Sequence, residues 1–131
     1  MAKIFKDLLK MTSEQAQPQR LLLLFANAES INHKKSKKHQ RGTISPVMCV
    51  DKLASDLTTF ASLVKEADTI EKKWNFVFIS SLSGENNLPP TSEEAEPFLN
   101  KMANDIESGN EIGRYVILDR DENPIELESN E

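Results

Sequence analysis

The stretch LLLLFA, residues 21–26, decides the fold of this 131-residue chain. It is a continuous apolar run, bounded by Gln19 and Arg20 before it and by Asn27 after it. A short run without polar alternation is typical of a β-strand that is covered on both faces. We therefore predict that these residues form the core strand of a sheet.

Further strands are predicted on similar grounds. ISPVMCV (44–50) has the pattern of a second strand, and Pro46 places its beginning at a sheet edge because proline cannot donate to a ladder. WNFVFISSL (74–82) is rich in aromatic and β-branched residues and is ended by GENNLPP, which predicts a third strand. YVILD (115–119) and IEL (125–127) flank the turn-rich RDENP, which predicts either a strand pair or a strand followed by a frayed tail.

Two stretches before the third strand have apolar residues at helical spacing. The first covers residues 4–12 and ends before Pro18. The second covers residues 53–70, with Asp51 or Ser55 available as the N-cap. The apolar stripe of the second helix is wide enough to anchor it to a sheet.

A third helix follows the third strand. Thr91 and Glu94 have the spacing of a capping box, and Gly109 is a typical C-terminal stop. Pro97 removes one backbone hydrogen bond, so either the first turn is bent or the helix begins nearer Glu96.

The predicted fold is a single α/β domain over residues 1–131, with α+β as the alternative. Three helices pack on a mixed sheet of four to five strands in the order α-β-β-α-β-α-β-β. If strands two, three and four share one sheet, right-handed crossovers would make them mutually parallel. Ligands of such sheets tend to bind beyond the carboxyl ends of the strands.

The polar residues at those strand ends are the candidate ligand-binding site. They are Asp51, Lys52, Ser81, Ser83, Asp119 and Arg120. Asp51 and Asp119 could act as a general acid and base, but a helix cap and a turn residue are the more ordinary roles for them. No catalytic residue, metal site or cofactor is predicted.

Charge is distributed unevenly along the chain. Residues 1–84 carry 13 Lys and Arg against 8 Asp and Glu, whereas residues 85–131 carry 3 against 13. No apolar run approaches the roughly 18 residues of a membrane span. The opening residues lack the apolar core of a secretory signal, so we expect a cytoplasmic protein. The only cysteine, Cys49, lies in an apolar strand and is predicted to be a buried, inert thiol.

The stretch HKKSKKHQRG (33–42) could bind a polyanion. Its cations are Lys34, Lys35, Lys37, Lys38 and Arg41. Nucleic-acid association stays an alternative, but the stretch has no aromatic residue for base stacking and the whole chain has a pI near 5.1. We therefore predict a flexible, solvated loop over about residues 29–43 and an acidic tail over about residues 128–131.

Several segments resemble one protein family. QPQRLLLLFANAE, SPVMCVDK, FVFISSLSG, PPTSEEAEPFLNKM and DRDENPIEL together are similar to a family of small bacterial proteins commonly labelled ribonucleotide reductase subunit alpha. The resemblance implies a compact bacterial domain and supplies no catalytic residue. The reductase named in that label needs several cysteines, so a chain with Cys49 alone is not that enzyme by itself.

The function predicted from these observations is a non-enzymatic binding or regulatory module, with another protein as its partner. The alternatives are a small enzyme or ligand binder that uses the strand-end groups, and nucleic-acid association through the basic loop. A cleft that gathers the strand-end residues would favour the enzyme, whereas an exposed apolar patch would favour a protein-binding surface.

Overall fold

The structure, a computed structural model, describes residues 4–30, 42–109 and 114–125. Its helices are α1 (Ile4–Ser13), α2 (Phe60–Ile70) and α3 (Ser92–Ser108), and a 3₁₀ turn covers Ala54–Asp56. Its strands are β1 (Gln19–Ser30), β2 (Gly42–Leu53), β3 (Phe76–Ser83) and β4 (Val116–Asp119). The predicted element order is confirmed. The described residues form three helices and one sheet, so the fold is of mixed α and β class.

The four strands form one sheet in the order β2-β1-β3-β4, and every neighbouring pair is antiparallel. The expectation of a mixed sheet with three mutually parallel strands is therefore wrong. β2 and β3 do run in the same direction, but β1 lies between them, and β4 runs the opposite way. The six residues between Gly109 and Val116 can span about 20 Å, which is enough chain to enter the sheet from its other end.

The run at residues 21–26 is the centre of the molecule, as predicted. All six side chains are at most 3% exposed, and successive residues face opposite sides of the sheet. One side packs on α1 and α2, where Phe5 and Phe60 meet edge to face at 5.6 Å between ring centroids. The other side packs on α3 through Leu99 and Met102. The sheet is thus covered by helices on both faces.

β2 is an edge strand, which confirms the placement of Pro46. The pairing shifts register between Phe25 and Ala26, because Phe25 is opposite Met48 whereas Ala26 is opposite Pro46. The extra residue on β2 forms a β-bulge beside the proline, a common device at sheet edges.

The second helix begins later than its apolar spacing predicts. Thr59 is its N-cap and accepts a hydrogen bond from the Ser62 backbone N–H at 3.0 Å, so neither Asp51 nor Ser55 caps it. Leu53 belongs to β2 instead. Threonine is favoured at an N-cap because its hydroxyl accepts a free N–H of the first turn, which explains a start after Thr59.

The ends of α3 follow the sequence. The capping box between Thr91 and Glu94 is present in both directions, and Gly109 ends the helix with a φ of 77°. The helix begins at Ser92 and Pro97 lies inside it, so the later start near Glu96 is wrong.

Part of the chain's last predicted elements lies outside the described residues. Pro124 forms an isolated antiparallel bridge to Leu118, and the Ile125 N–H donates to the Ile117 carbonyl at 2.9 Å. Residues 126–131, with the acidic tail at 128–131, are outside the described ranges.

Candidate functional site

The six strand-end residues do not form one site. The carboxyl ends of β2 and β3 lie at the same end of the sheet. Asp51 and Lys52 are there on one side of β1, and Ser81 and Ser83 are on the other. β4 runs in the opposite direction, and Asp119 pairs with Phe76 at the far end of β3. Asp119 and Arg120 are therefore separated from the other four candidates by the length of β3.

The four candidates at this end of the sheet are divided between its two faces. Asp51 is in register with Leu22, whose side chain packs on the α3 side. Lys52 and Ser81 are both in register with Leu21, and Lys52 forms an ion pair with Glu66 of α2 on the other side. Because neighbouring residues of a strand point to opposite faces, no single cleft can gather this set.

Asp51 joins three elements instead of capping a helix. Its Oδ2 accepts from the Arg20 guanidinium at 2.7 Å and from the Ser92 hydroxyl at 2.6 Å. The same guanidinium donates through Nε to the Pro90 carbonyl at 2.7 Å. This network ties β1, β2 and the start of α3 together, and the carboxylate already has charged and neutral donors. Asp51 therefore has a structural role.

Asp119 is a turn residue, as its more ordinary interpretation predicts. Its side chain accepts from the backbone N–H groups of Asn123 and Asp121 at 2.9 and 2.8 Å, and from the Asn123 amide. The Asn123 backbone hydrogen bond is the main reason that the pKa of Asp119 lies below its usual value.

Arg120 lies in a second structural network. Its guanidinium carbon is 4.2 Å from the centre of the Trp74 ring, and its Nη2 is 2.6 Å from Asp68 Oδ2. The indole N–H of Trp74 donates to Asp68 Oδ1 at 3.1 Å. The hydrogen bond from Arg120 is the largest cause of the lowered pKa of Asp68. These groups satisfy one another, and they fix β4 against α2.

Cys49 is exposed, so its predicted burial is wrong. Its register partner Leu24 is fully buried on the central strand β1, whereas Cys49 lies on the edge strand β2. Neighbouring groups still desolvate the thiol enough to raise its pKa, which lowers its thiolate fraction at neutral pH.

The cations of the basic stretch, Lys34, Lys35, Lys37, Lys38 and Arg41, lie outside the described residues. The strands that lead to it are longer than predicted, because β1 ends at Ser30 and β2 begins at Gly42. Residues 29, 30, 42 and 43 are therefore strand residues, and not part of a loop. β1 and β2 continue for four residue pairs beyond Ala26, where the pairing of β1 with β3 ends.

Within residues 4–30, 42–109 and 114–125, no group of three or more His, Cys, Asp and Glu side chains could hold a metal ion. Across the same part of the chain, no helix is long and apolar enough to cross a membrane.

The loop between β3 and α3 contains the feature that sequence reasoning missed. Asn86 and Asn87 have positive φ values of 54° and 64°, which is the geometry of a type I′ turn. The backbones of Glu85 and Leu88 exchange two hydrogen bonds across this turn, at 3.0 and 2.9 Å. The Gln17 side chain accepts from the Asn87 N–H at 2.8 Å, which fixes the turn to the body of the protein.

This turn holds an apolar side chain in solvent. Leu88 is 67% exposed, and Phe98, on the second turn of α3, is 48% exposed. Both residues line a shallow pocket of about 460 Å³. We call this pocket the Leu88–Phe98 surface; its apolar lining includes Leu82, Leu88, Pro89 and Phe98, and its charged residues are Glu85 and Glu94.

Two sequence signals could have revealed this surface. An Asn-Asn pair tolerates the left-handed backbone that a type I′ turn needs, so GENNLPP predicts a tight turn with Leu88 next to it. Phe98 does not belong to the apolar stripe of Ala95, Leu99 and Met102 that packs on the sheet. A large apolar residue outside the buried stripe of a helix is a candidate for the surface.

No protein-family model, curated protein or solved structure matches this chain. The resemblance of its segments to the family labelled ribonucleotide reductase subunit alpha therefore stays a prediction. The Leu88–Phe98 surface is identified from its own geometry alone.

Proposed function

We propose that this protein is a non-enzymatic binding or regulatory module that holds another protein on the Leu88–Phe98 surface. The observation that carries the proposal is that two exposed apolar side chains, Leu88 at 67% and Phe98 at 48%, line one pocket. Contiguous exposed apolar groups with polar residues around them are typical of interaction sites, because a partner that covers them removes apolar area from water.

The rigidity of the turn supports this proposal. The two Glu85–Leu88 backbone hydrogen bonds and the Gln17–Asn87 contact hold Leu88 in place before any partner arrives. The Gly84 N–H also donates to the Pro18 carbonyl at 2.9 Å, which ties the start of the loop to the residue before β1. A preordered contact residue loses less conformational entropy on binding, and this leaves more of the burial free energy for affinity.

The enzymatic alternative gains little from the strand-end residues. Asp51 is occupied by Arg20 and Ser92, and Asp119 stands at the opposite end of the sheet with its own backbone donors. A general acid and base need to approach one substrate together. The bacterial origin in this proposal rests on the segments that resemble the small bacterial family, and the cytoplasmic location stays an expectation.

Photo-crosslinking in the source cells tests the binding proposal. A benzophenone amino acid would replace Leu88 in one variant and Ile70 in another. Ile70 is a matched control, because it is 65% exposed at the end of α2 and lies away from the Leu88–Phe98 surface. We expect a protein adduct at residue 88 that the residue-70 variant does not give, and that Phe98→Ser weakens. Equal adducts at both positions would contradict the proposal.

Nucleic-acid association is the second candidate, and one observation favours it. β1 and β2 form a two-stranded extension beyond the four-stranded sheet, from Asn27 and Ser45 to Ser30 and Gly42. In the sequence, the five cations of positions 34–41 lie between the ends of that extension. Paired strands of this kind are one of the elements that enter nucleic-acid grooves.

Fluorescence anisotropy on duplex and single-stranded oligonucleotides would test this second candidate. The parent chain is compared across a salt series with a variant in which Lys34, Lys35, Lys37 and Lys38 are serine. Binding that is lost in the variant, with a shallower dependence on salt in what remains, would support nucleic-acid association. Equal and weak binding of both proteins would contradict nucleic-acid association through the basic stretch.

A further inference from the structure

We infer that the partner of the Leu88–Phe98 surface is a polypeptide segment in which lysines or arginines flank a bulky apolar side chain. This inference rests on the proposed binding function and names the chemistry of what is bound. It is carried by charge complementarity around an apolar pocket, since residues 84–100 contain four glutamates and no lysine or arginine.

Two of the four glutamates, Glu85 and Glu94, line the pocket. Glu93 and Glu96 are exposed on the first turns of α3 but do not belong to the lining. Among the residues that the structure describes, neither Glu85 nor Glu93 forms an ion pair. Their charges are therefore available to a cationic partner.

The start of a helix offers a structural explanation for some of these charges. Acidic side chains in a first turn are stabilised by the helix dipole, and Glu94 also belongs to the capping box. This explanation does not extend to Glu85, which lies before the helix in the type I′ turn. The dipole contributes only about half a positive charge at the helix start, so the two carboxylates that line the pocket leave it negative. The nearby Arg20, which donates to the Pro90 carbonyl, is already paired with Asp51.

Phe98 adds a second reason for a cationic partner. Its ring is half-exposed and lines the same pocket as Glu85 and Glu94, and the faces of an aromatic ring are negative. A lysine or arginine over such a ring gains cation–π attraction, and its methylene stem covers apolar surface at the same time. A pocket of about 460 Å³ lies within the range of about 300–1,000 Å³ that is usual for ligand pockets.

Two labelled peptides of equal apolar content serve as probes. One has the sequence Lys-Lys-Leu-Gly-Phe-Lys-Lys, and the other has glutamate in place of each lysine. Titration of the ¹⁵N-labelled full chain, followed by NMR, locates the contact, and fluorescence anisotropy gives the affinity. We expect the lysine peptide to shift amide signals of residues 84–98, and to bind at least about tenfold more tightly than the glutamate peptide. The preference should shrink with added salt.

Variants of the protein separate the contributions of charge and of apolar contact to peptide binding. Glu85→Gln with Glu93→Gln removes two exposed charges and keeps the capping box, and it should reduce lysine-peptide affinity by about threefold to tenfold. Leu88→Ser with Phe98→Ser should abolish the NMR shifts, whereas Ile70→Ser should leave them unchanged. Unfolding curves of each variant confirm that it is folded.

The outcomes separate this inference from the binding proposal. A specific adduct at residue 88 without any preference for the lysine peptide would overturn the inferred partner chemistry and leave the binding function standing. Failure of the crosslinking as well would overturn both. Lysine-peptide shifts that spread over the acidic surface and persist in the Leu88→Ser, Phe98→Ser variant would also overturn the inference, because the pocket would then not be the site.

Discussion

The backbones of Gly84 and Leu88 approach so closely that a β-carbon on residue 84 would lie 1.9 Å from the Leu88 carbonyl oxygen. That oxygen accepts the Glu85 N–H and so belongs to the hydrogen bonds that close the turn. Any side chain at position 84 must therefore displace backbone, and cannot be accommodated by rotating a neighbouring side chain. The exposed position of Leu88 depends on this glycine.

We expect Gly84→Ala to lower the free energy of unfolding by about 1–3 kcal/mol, the usual cost of inserting atoms into a packed site. The displaced turn should also weaken crosslinking at residue 88. Asn87→Gly is the control in the same loop, because its φ of 64° is one that glycine adopts easily, and it should be nearly neutral. Urea unfolding checks both, and an unchanged Gly84→Ala protein would contradict the steric argument.

A second prediction compares the same substitution at two helical phenylalanines. Phe60 is 6% exposed and packs on Phe5, so Phe60→Ala should cost about 3–5 kcal/mol. Phe98 is 48% exposed, so Phe98→Ala should cost no more than about 1 kcal/mol. Denaturant unfolding measures both values. Equal costs would mean that Phe98 belongs to the core, and would remove the apolar surface proposed for binding.

Local signals in the sequence predict most of the elements. LLLLFA is a buried strand because six apolar residues in a row require cover on both sides, and the two helix layers provide it. The Thr91–Glu94 box and Gly109 fix the ends of α3 through contacts within a few residues. Such signals depend on neighbours in the chain, which a sequence displays directly.

The direction of β4 and the exposure of Cys49 depend on relationships that the sequence does not display. β4 could enter the sheet from either end, and its actual direction separates Asp119 from Asp51. Cys49 has apolar neighbours, but its burial depends on the position of β2 in the sheet, and β2 is an edge strand. The strand-end residues are separated for the first reason, and the predicted burial of Cys49 is wrong for the second.

A third prediction concerns the stability of the fold at acid pH. The hydrogen bond from Arg120 holds the pKa of Asp68 below its usual value in the folded protein. The ionised carboxylate therefore stabilises the fold above its unfolded pKa of about 3.9, and that contribution is lost as the pH falls through the lower, folded value. Asp68→Asn should reduce stability at neutral pH, and the difference from the parent should shrink as the pH falls below about 4.

Urea unfolding of both proteins across the acid range measures this difference. Asp105 and Asp119 also have lowered pKa values, but they are present in both proteins and cancel in the comparison. In an Arg120→Gln background, Asp68→Asn should have a smaller pH-dependent effect, because the main cause of the shift is gone. A stability difference that is constant with pH would contradict the coupling of Asp68 to Arg120.

The last prediction concerns the reactivity of Cys49. The thiol is exposed, so iodoacetamide should reach it without any unfolding of the protein. Its pKa is raised by partial desolvation, and the thiolate is the reactive form, so alkylation should be slow at neutral pH. The rate should rise about tenfold per pH unit while the pH stays below the thiol pKa. At the same pH, the urea-unfolded chain should react faster, because its thiol is fully solvated. Mass spectrometry follows the single adduct, with Cys49→Ser as the blank. If the rate instead rose in direct proportion to the unfolded fraction as small amounts of urea were added, only the unfolded chain would be reacting. That result would contradict the exposed position of Cys49 in the folded protein.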